Sequence, residues 1–140
     1  MSDTLSILIN DINASLPERK LAQAIEKTAI SADTKAILID LSRITMKIGG
    51  KVVAIGRKIL AFVLDLLKAF PAITMGILVA LVISSLIAAV PLIGPPLAGV
   101  LTPLLLALGI GAGALKDFAS DDLKKRIDTL ASSFSAIFKA

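Results

Sequence analysis

The stretch AFPAITMGILVALVISSLIAAVPLIGPPLAGVLTPLLLALGIGAGAL, residues 69–115, contains no charged side chain. Within it, residues 72–90 and 97–115 are apolar runs of 19 residues each, separated by the Pro- and Gly-containing segment 91–96. As an α-helix, such a run would be roughly 28 Å long, close to the ~30 Å hydrocarbon thickness of a bilayer. The sequence therefore predicts a hydrophobic helical hairpin of transmembrane type, preceded by a helix break at Phe70-Pro71.

Small residues recur one helical turn apart in both predicted arms, as a row from Gly76 to Ala88 in the first and as a GxxxG pair in the second. Such rows let apolar helices approach closely in lipid. A proline at 103 is expected to kink the second arm. The residues predicted to form the membrane-spanning hairpin are Ala72, Gly76, Ala80, Ser84, Val90, Pro91, Gly94, Pro95, Pro96, Leu97, Pro103, Gly109, Gly113 and Leu115.

The segments that flank the hairpin are predicted to be amphipathic helices. Residues 1–31 form short helices, residues 32–68 one long basic helix, and residues 116–140 a C-terminal helix, all within a single all-α domain over 1–140. In 32–68, apolar residues from Ile37 to Leu66 follow one another at steps of three or four, and Gly49-Gly50 predicts a bend or break. Three serines are predicted helix N-caps: Ser15, Ser31 and Ser120.

Positive charge is concentrated next to the hairpin, since residues 31–68 carry seven basic and three acidic groups. A basic amphipathic helix suits an anionic membrane surface. The basic residues predicted to lie on the membrane surface, or to line a pore, are Arg43, Lys47, Lys51, Arg57 and Lys58. Lys68 and Lys116 bound the uncharged stretch and are predicted to anchor it at the interface by snorkelling.

The composition gives no support to an enzyme, a cofactor or a metal. The chain has no His and no Cys, the commonest general base and the thiolate ligand, and no Tyr. The glycines from Gly109 to Gly113 follow no predicted strand and lack the Walker spacing, so nucleotide binding is not expected. The Asp121-Asp122 pair fits a role at a helix start better than a metal or acid–base site. We expect no nucleic-acid partner.

The flanks are too short to hide the hairpin in a soluble monomer. Surrounding a touching pair of helices takes about eight more helices, or roughly 220 Å of covering helix at the same length. About 84 flanking residues supply roughly 125 Å. A large apolar surface would stay exposed, so we expect a membrane, a homo-oligomer or a protective partner protein.

The hairpin tip also carries no charge, so its passage through a bilayer moves no ionised group across. Both flanks stay on one side, and both are basic close to the hairpin, as the positive-inside tendency favours. The N-terminus lacks the basic region and apolar core of a secretory signal. The sequence therefore predicts a membrane protein made in the cytoplasm, and release to act on a target cell membrane is one version of that prediction.

With these features the chain resembles the channel-forming domain of pore-forming colicins and related bacteriocins. The resemblance covers about residues 32–130: a basic amphipathic helix, an uncharged helix pair joined by a Pro/Gly turn, and the exit GALKDFASDDLKK at 113–125. It implies an apolar hairpin inside a shell of amphipathic helices that opens on a membrane and forms an ion channel. The alternatives are a non-toxic hairpin anchor, a membrane-shaping protein and a phage holin-like protein.

Overall fold

The computed structural model describes residues 2–14, 16–28 and 30–138, and for residues 2–6 and 112 it describes the backbone alone. Within these ranges the chain is all-α apart from one short β-hairpin, which confirms the predicted fold class. The elements are α1 (Ser2–Asn13), α2 (Glu18–Glu26), α3 (Ala32–Ser42), β1 (Met46–Ile48), β2 (Lys51–Val53), α4 (Ile55–Ala69), α5 (Met75–Ala89), a 3-10 turn (Pro91–Ile93), α6 (Gly94–Leu108), a 3-10 helix (Ala112–Phe118) and α7 (Asp121–Phe138).

Two of the three predicted N-caps are confirmed. The Ser31 hydroxyl accepts a hydrogen bond from the Thr34 N–H at 3.2 Å and starts α3. The Ser120 hydroxyl accepts one from the Leu123 N–H at 3.3 Å and starts α7. Each bond satisfies one of the backbone donors that a helix start leaves without a partner. Ser15, the third predicted cap, lies outside the described residues.

The prediction of one long helix over 32–68 is wrong, although the predicted break at the two glycines is present. Between α3 and α4 the chain forms the antiparallel strands β1 and β2, in which Ile48 pairs with Lys51. Gly49 and Gly50 make the two-residue turn with φ of +57° and +80°. A turn of this kind needs positive φ at both central residues, which glycine adopts without strain. The apolar residues here have a spacing that suits a helix, but the two glycines form a turn and the flanking residues pair as strands.

The β-hairpin lets α4 fold back across the end of α3, and Gly56 lies at the crossing. Its N–H donates a hydrogen bond to the Ile44 carbonyl at 3.1 Å. A Cβ built on Gly56 would stand only 1.8 Å from the carbonyl oxygen of Leu41. No larger residue fits without moving one of the two backbones.

Both arms of the central hairpin are shorter than predicted, with 15 residues in each helix. Thr74 caps the start of α5 by accepting a hydrogen bond from the Ile77 N–H at 3.4 Å, so Ala72 precedes the helix. Pro95 and Pro96 lie in the first turn of α6, where a missing N–H costs nothing. Gly109, with φ of +70°, ends α6 in the left-handed conformation.

The core is centred on α5. Helices α4, α6 and α7 all pack against it, whereas α3 lies against α2, α4 and α6, and α1 lies against α4 and α7. The guanidinium of Arg126 on α7 stands 5.5 Å from the centre of the Phe70 ring at the end of α4. Helices α4 and α7 thus enclose the first arm of the hairpin, and the second arm lies at the edge of the bundle.

Candidate membrane-interaction site

The two arms of the hairpin differ sharply in burial. On α5, nine of the 15 residues are buried. On α6, only Leu97, Val100 and Leu104 are buried, at steps of three and four that mark a single inward stripe. The rest of α6 is half-buried or exposed, and the helix carries no charged residue. The hairpin is therefore half core and half surface.

The outward side of α6 and its preceding turn carries no charged residue and exposes two leucines. Leu106 is 78% exposed and Leu92 is 63% exposed, which makes them two of the most exposed large apolar side chains in the described part of the chain. Between them lie five small or weakly polar exposed residues: Pro95, Ala98, Gly99, Thr102 and Pro103. We call these seven residues the outer face of α6. Contiguous apolar surface without charges is uncommon on soluble monomers and marks contact with a membrane or a partner.

The same segment has the length that a membrane crossing requires. Pro91–Leu108, the 3-10 turn together with α6, spans 18 residues with a mean hydropathy of 1.7, and 28% of it is buried. Among the described residues, this is the one helical segment that is both long enough and apolar enough to span a bilayer. Helix α5 is apolar but shorter. The segment that is long and apolar enough to cross a membrane is thus also largely exposed.

The predicted hairpin residues fall into four structural settings. Those in α5 are Gly76, Ala80 and Ser84, of which the first two are buried. Those at the tip are Val90 and Pro91, and those in α6 are Gly94, Pro95, Pro96, Leu97 and Pro103. Those outside both arms are Ala72, Gly109, Gly113 and Leu115. Helix α6 continues through Pro103 to Leu108.

The two arms approach each other closely where α5 begins and α6 ends. A Cβ built on Gly76 would lie 2.8 Å from Cδ2 of Leu108, so glycine lets the end of α6 rest on the start of α5. Farther along, Ser84 and Ala88 are exposed and do not continue this seam. The predicted GxxxG pair does not lie on one α-helix in this structure, because Gly109 ends α6 and Gly113 lies in a 3-10 helix.

Two of the predicted basic surface residues are paired with acidic residues of the N-terminal helices. Nε of Arg43 donates to Oε1 of Glu18 at 2.7 Å, and Nζ of Lys58 stands 4.0 Å from a carboxylate oxygen of Asp11. The hydrogen bond from Arg43 and the negative charge of Glu18 raise the pKa of Arg43 above its ordinary value. This exposed ion pair links Arg43, the residue that follows α3, to Glu18 at the start of α2.

Asn13 is a structural residue that the sequence reasoning missed. Its amide Nδ2 donates to the Val52 carbonyl at 2.9 Å, and its Oδ1 accepts from the Ala54 N–H at 2.9 Å. Arg57, another predicted surface residue, donates to the Asn13 backbone carbonyl at 2.9 Å. One side chain thus joins the end of α1 to β2 and the start of α4. Because the partners lie about 40 positions away in the chain, no local pattern marks them.

The remaining predicted basic residues are exposed. Lys47 and Lys51 lie on opposite strands of the β-hairpin. Lys68 lies at the end of α4, 3.8 Å from Asp65, and Lys116 lies in the 3-10 helix after α6. The five basic residues from 43 to 58 are distributed over α3, the β-hairpin and α4, so the prediction of one basic helical stripe is wrong.

Comparison of the chain with protein families, curated proteins and solved structures finds no match. Within the described ranges, no group of three or more His, Cys, Asp or Glu side chains is arranged to hold a metal ion. What the protein does must therefore be inferred from the outer face of α6 and the elements around it.

Proposed function

We propose that this protein inserts into lipid bilayers through the hairpin 69–115 and permeabilises them, as a pore-forming bacteriocin does. The observation that carries the proposal is the outer face of α6: an uncharged helix, with its preceding turn long enough to cross a bilayer, is left largely exposed by its own fold. In water this surface has no favourable environment. In the hydrocarbon region of a membrane it has one.

The first step of the proposed mechanism is adsorption of α6. Full burial of a leucine side chain is worth about 1.5–3 kcal/mol, so the exposed fractions of Leu92 and Leu106 together favour the bilayer by about 2–4 kcal/mol. No charge opposes their entry, because the outer face contains none. Exposed basic residues such as Lys47 and Lys68 add attraction to anionic headgroups.

The second step is insertion of α5 beside α6. Its buried residues leave α4 and α7 but remain in an apolar environment, because lipid tails are as apolar as a protein core. Each 15-residue helix is roughly 22 Å long, below the ~30 Å hydrocarbon thickness. The uncharged residues 70–74 and 109–115 supply the missing length when they become helical. Two helices cannot enclose an aqueous channel, so several chains assemble to form it.

A second candidate function is a membrane anchor or membrane-shaping protein that keeps its fold. The burial of α5 favours it, because α6 alone can lie in the interface while the rest of the bundle remains intact. An anchor or shaping protein adsorbs without leakage, whereas a channel-former or a holin-like protein releases vesicle contents. Dye release therefore separates the two classes.

The test combines liposomes of graded anionic content with the variant Leu106→Gln. We expect the natural protein to bind and release dye, increasingly so with anionic lipid. Replacing the exposed leucine by a neutral polar residue removes about 2 kcal/mol of membrane affinity, or about 30-fold in partitioning, without disturbing the core. Co-sedimentation with vesicles measures the partitioning, and dye release measures the leakage.

Ile7→Gln is the matched control, since Ile7 is 66% exposed on α1, away from α6. We expect its partitioning to equal that of the natural protein. An equal loss in both variants, or no binding at all, contradicts membrane contact through α6. Binding without leakage at every lipid composition favours the anchor.

A further inference from the structure

A cavity of about 400 Å³ lies between the second half of α5, the 3-10 helix at 112–118 and the start of α7. Small side chains of α5 form one wall, because Ser84, Ser85 and Ala88 are too short to fill the space. The volume falls within the ~300–1,000 Å³ of small-molecule sites. The row of small residues thus opens a binding-sized space where a helix–helix seam was predicted.

The inner part of the cavity is apolar. Leu81 of α5, Leu115 of the 3-10 helix and Ile127 of α7 line it, and all three are buried. Helix α5 and the consecutive pair of the 3-10 helix and α7 therefore both supply apolar residues to the floor of the cavity. Such a floor favours a ligand with a hydrocarbon portion over a small hydrated ion.

The charged residues that line the cavity have both signs. Lys116, Lys124 and Asp121 are all exposed lining residues, and they come from the 3-10 helix and the first turn of α7. The hydroxyls of Ser84 and Ser85 add hydrogen-bond donors. Two ammonium groups suit a phosphate, and one carboxylate suits an amine. The set therefore matches a zwitterionic headgroup better than a purely anionic one.

We propose that this cavity binds a phospholipid-type amphiphile whose headgroup carries both a phosphate and a primary amine. Lys116 and Lys124 hold the phosphate, Asp121 holds the amine, and the hydrocarbon chain lies along the apolar floor. The proposal concerns a single bound molecule and does not depend on bilayer insertion through α6. A headgroup without a chain, or a chain without a headgroup, uses only part of the site.

The binding test uses lysophosphatidylethanolamine with a 12-carbon chain, kept below its critical micelle concentration and titrated into the full chain by NMR. Phosphoethanolamine without a chain and dodecyl maltoside without a phosphate are the comparison ligands. We expect both to bind at least about tenfold more weakly than the lipid. Equal binding of phosphoethanolamine means a site for the free headgroup, equal binding of the maltoside means a non-specific apolar site, and either result overturns the proposal.

Charge-neutral variants identify the residues that bind the phosphate. In Lys116→Gln/Lys124→Gln the affinity for the lipid falls about tenfold, because charge-assisted contacts to the phosphate are lost. Lys125→Gln is the control, since Lys125 is exposed on the same helix but does not line the cavity. An unchanged affinity in the double variant overturns the phosphate assignment.

Asp121→Asn tests the amine contact. It weakens binding of lysophosphatidylethanolamine and strengthens binding of lysophosphatidylglycerol, whose headgroup lacks the amine. Asp122→Asn removes a charge from the same helical turn without touching the cavity lining, so it controls for effects on the start of α7. If Asp121→Asn strengthens the binding of both lipids, or changes the binding of neither, the amine contact is overturned. Because no bilayer is present, these results are separate from those on membrane insertion.

Discussion

The arms α5 and α6 have nearly the same chemistry and opposite surroundings. Each is a helix of 15 residues without a charged side chain. Helix α5 is the centre of the core, with nine buried residues, whereas α6 buries three and exposes the rest of its surface to different degrees. Apolar composition therefore does not decide which helix becomes the core; the supply of covering helices does.

That supply is enough for one arm. Helices α4 and α7 pack against α5, and α6 itself completes the cover, but α6 has only α3 and α5 as its main helical neighbours. The flanking segments are long enough for little more than half of the shell that both arms would require. The structure shows how the chain distributes that shell: it encloses the first arm and leaves the outer face of the second without cover.

The largest expected effect comes from the same truncation in the two arms. Leu78 of α5 is 0% exposed, so Leu78→Ala removes a packed side chain and leaves a cavity, which costs about 2–5 kcal/mol of the free energy of unfolding. Leu106→Ala on the outer face of α6 changes that free energy by less than about 0.5 kcal/mol. Urea denaturation followed by circular dichroism measures both values.

The two truncations also test whether α6 is covered in solution. If Leu106→Ala costs as much as Leu78→Ala, and the loss depends on protein concentration, a second copy of the chain covers the outer face and the contrast between the arms is lost. We expect the loss in Leu78→Ala to be independent of concentration, since its cause lies within one chain.

The next effect concerns the cover over α5, which depends on the crossing of α3 and α4. Gly56→Ala places a methyl group against the Leu41 carbonyl, a backbone atom that no side-chain rotation can move away. Overpacking of this kind costs about 1–3 kcal/mol. Gly99→Ala on the exposed side of α6 meets no atom within 4 Å and gains about 0.5–1 kcal/mol through helix propensity. Thermal or urea denaturation of the pair gives shifts of opposite sign; two shifts in the same direction contradict the close crossing.

Sequence signals anticipate the fold best where they are local. The absence of charge over 69–115 predicts the apolar hairpin, and the serine caps at Ser31 and Ser120 lie at the observed helix starts. Gly49-Gly50 predicts the end of α3's helical pattern but not the strands, because Ile44, Ile48 and Val52 keep a spacing that suits a helix equally well. The helix fails there because two successive left-handed glycines favour a tight turn.

Such local signals do not predict features that depend on contacts between distant parts of the chain. The absence of charge in α5 and α6 does not tell which arm is enclosed. The spacing of Leu97, Val100 and Leu104 marks an inward side of α6, but it does not say which helices cover α5. The role of Asn13 depends on partners in β2 and at the start of α4. The cavity beside α5 depends on residues 81–88 and 115–127, two segments that only the folded chain brings together.

The smallest expected effect on stability comes from a substitution where α5 and α6 touch. It distinguishes the behaviour of the two arms most clearly. Gly76→Ala places a methyl group 2.8 Å from the end of the flexible Leu108 side chain and 3.3 Å from Thr34 Cγ2. The gain in helix propensity on α5 offsets the cost of moving Leu108, so the free energy of unfolding changes by less than about 1 kcal/mol. Leu108 is the last residue of α6, so moving its side chain loosens the contact between the end of α6 and α5. We therefore expect the amide protons of residues 104–108 to exchange faster, while those of α5 do not.

Hydrogen exchange measured by NMR checks this prediction, with Gly99→Ala as the control, because that variant adds a methyl group to α6 without touching the seam. Faster exchange across α5 as well as α6 would mean that the arms open together and that the core does not distinguish them. Faster exchange confined to α6 means that the second arm can leave the bundle while the first stays packed. In that case Gly76→Ala also binds liposomes more tightly than the natural protein, since part of the cost of releasing α6 has been removed in advance.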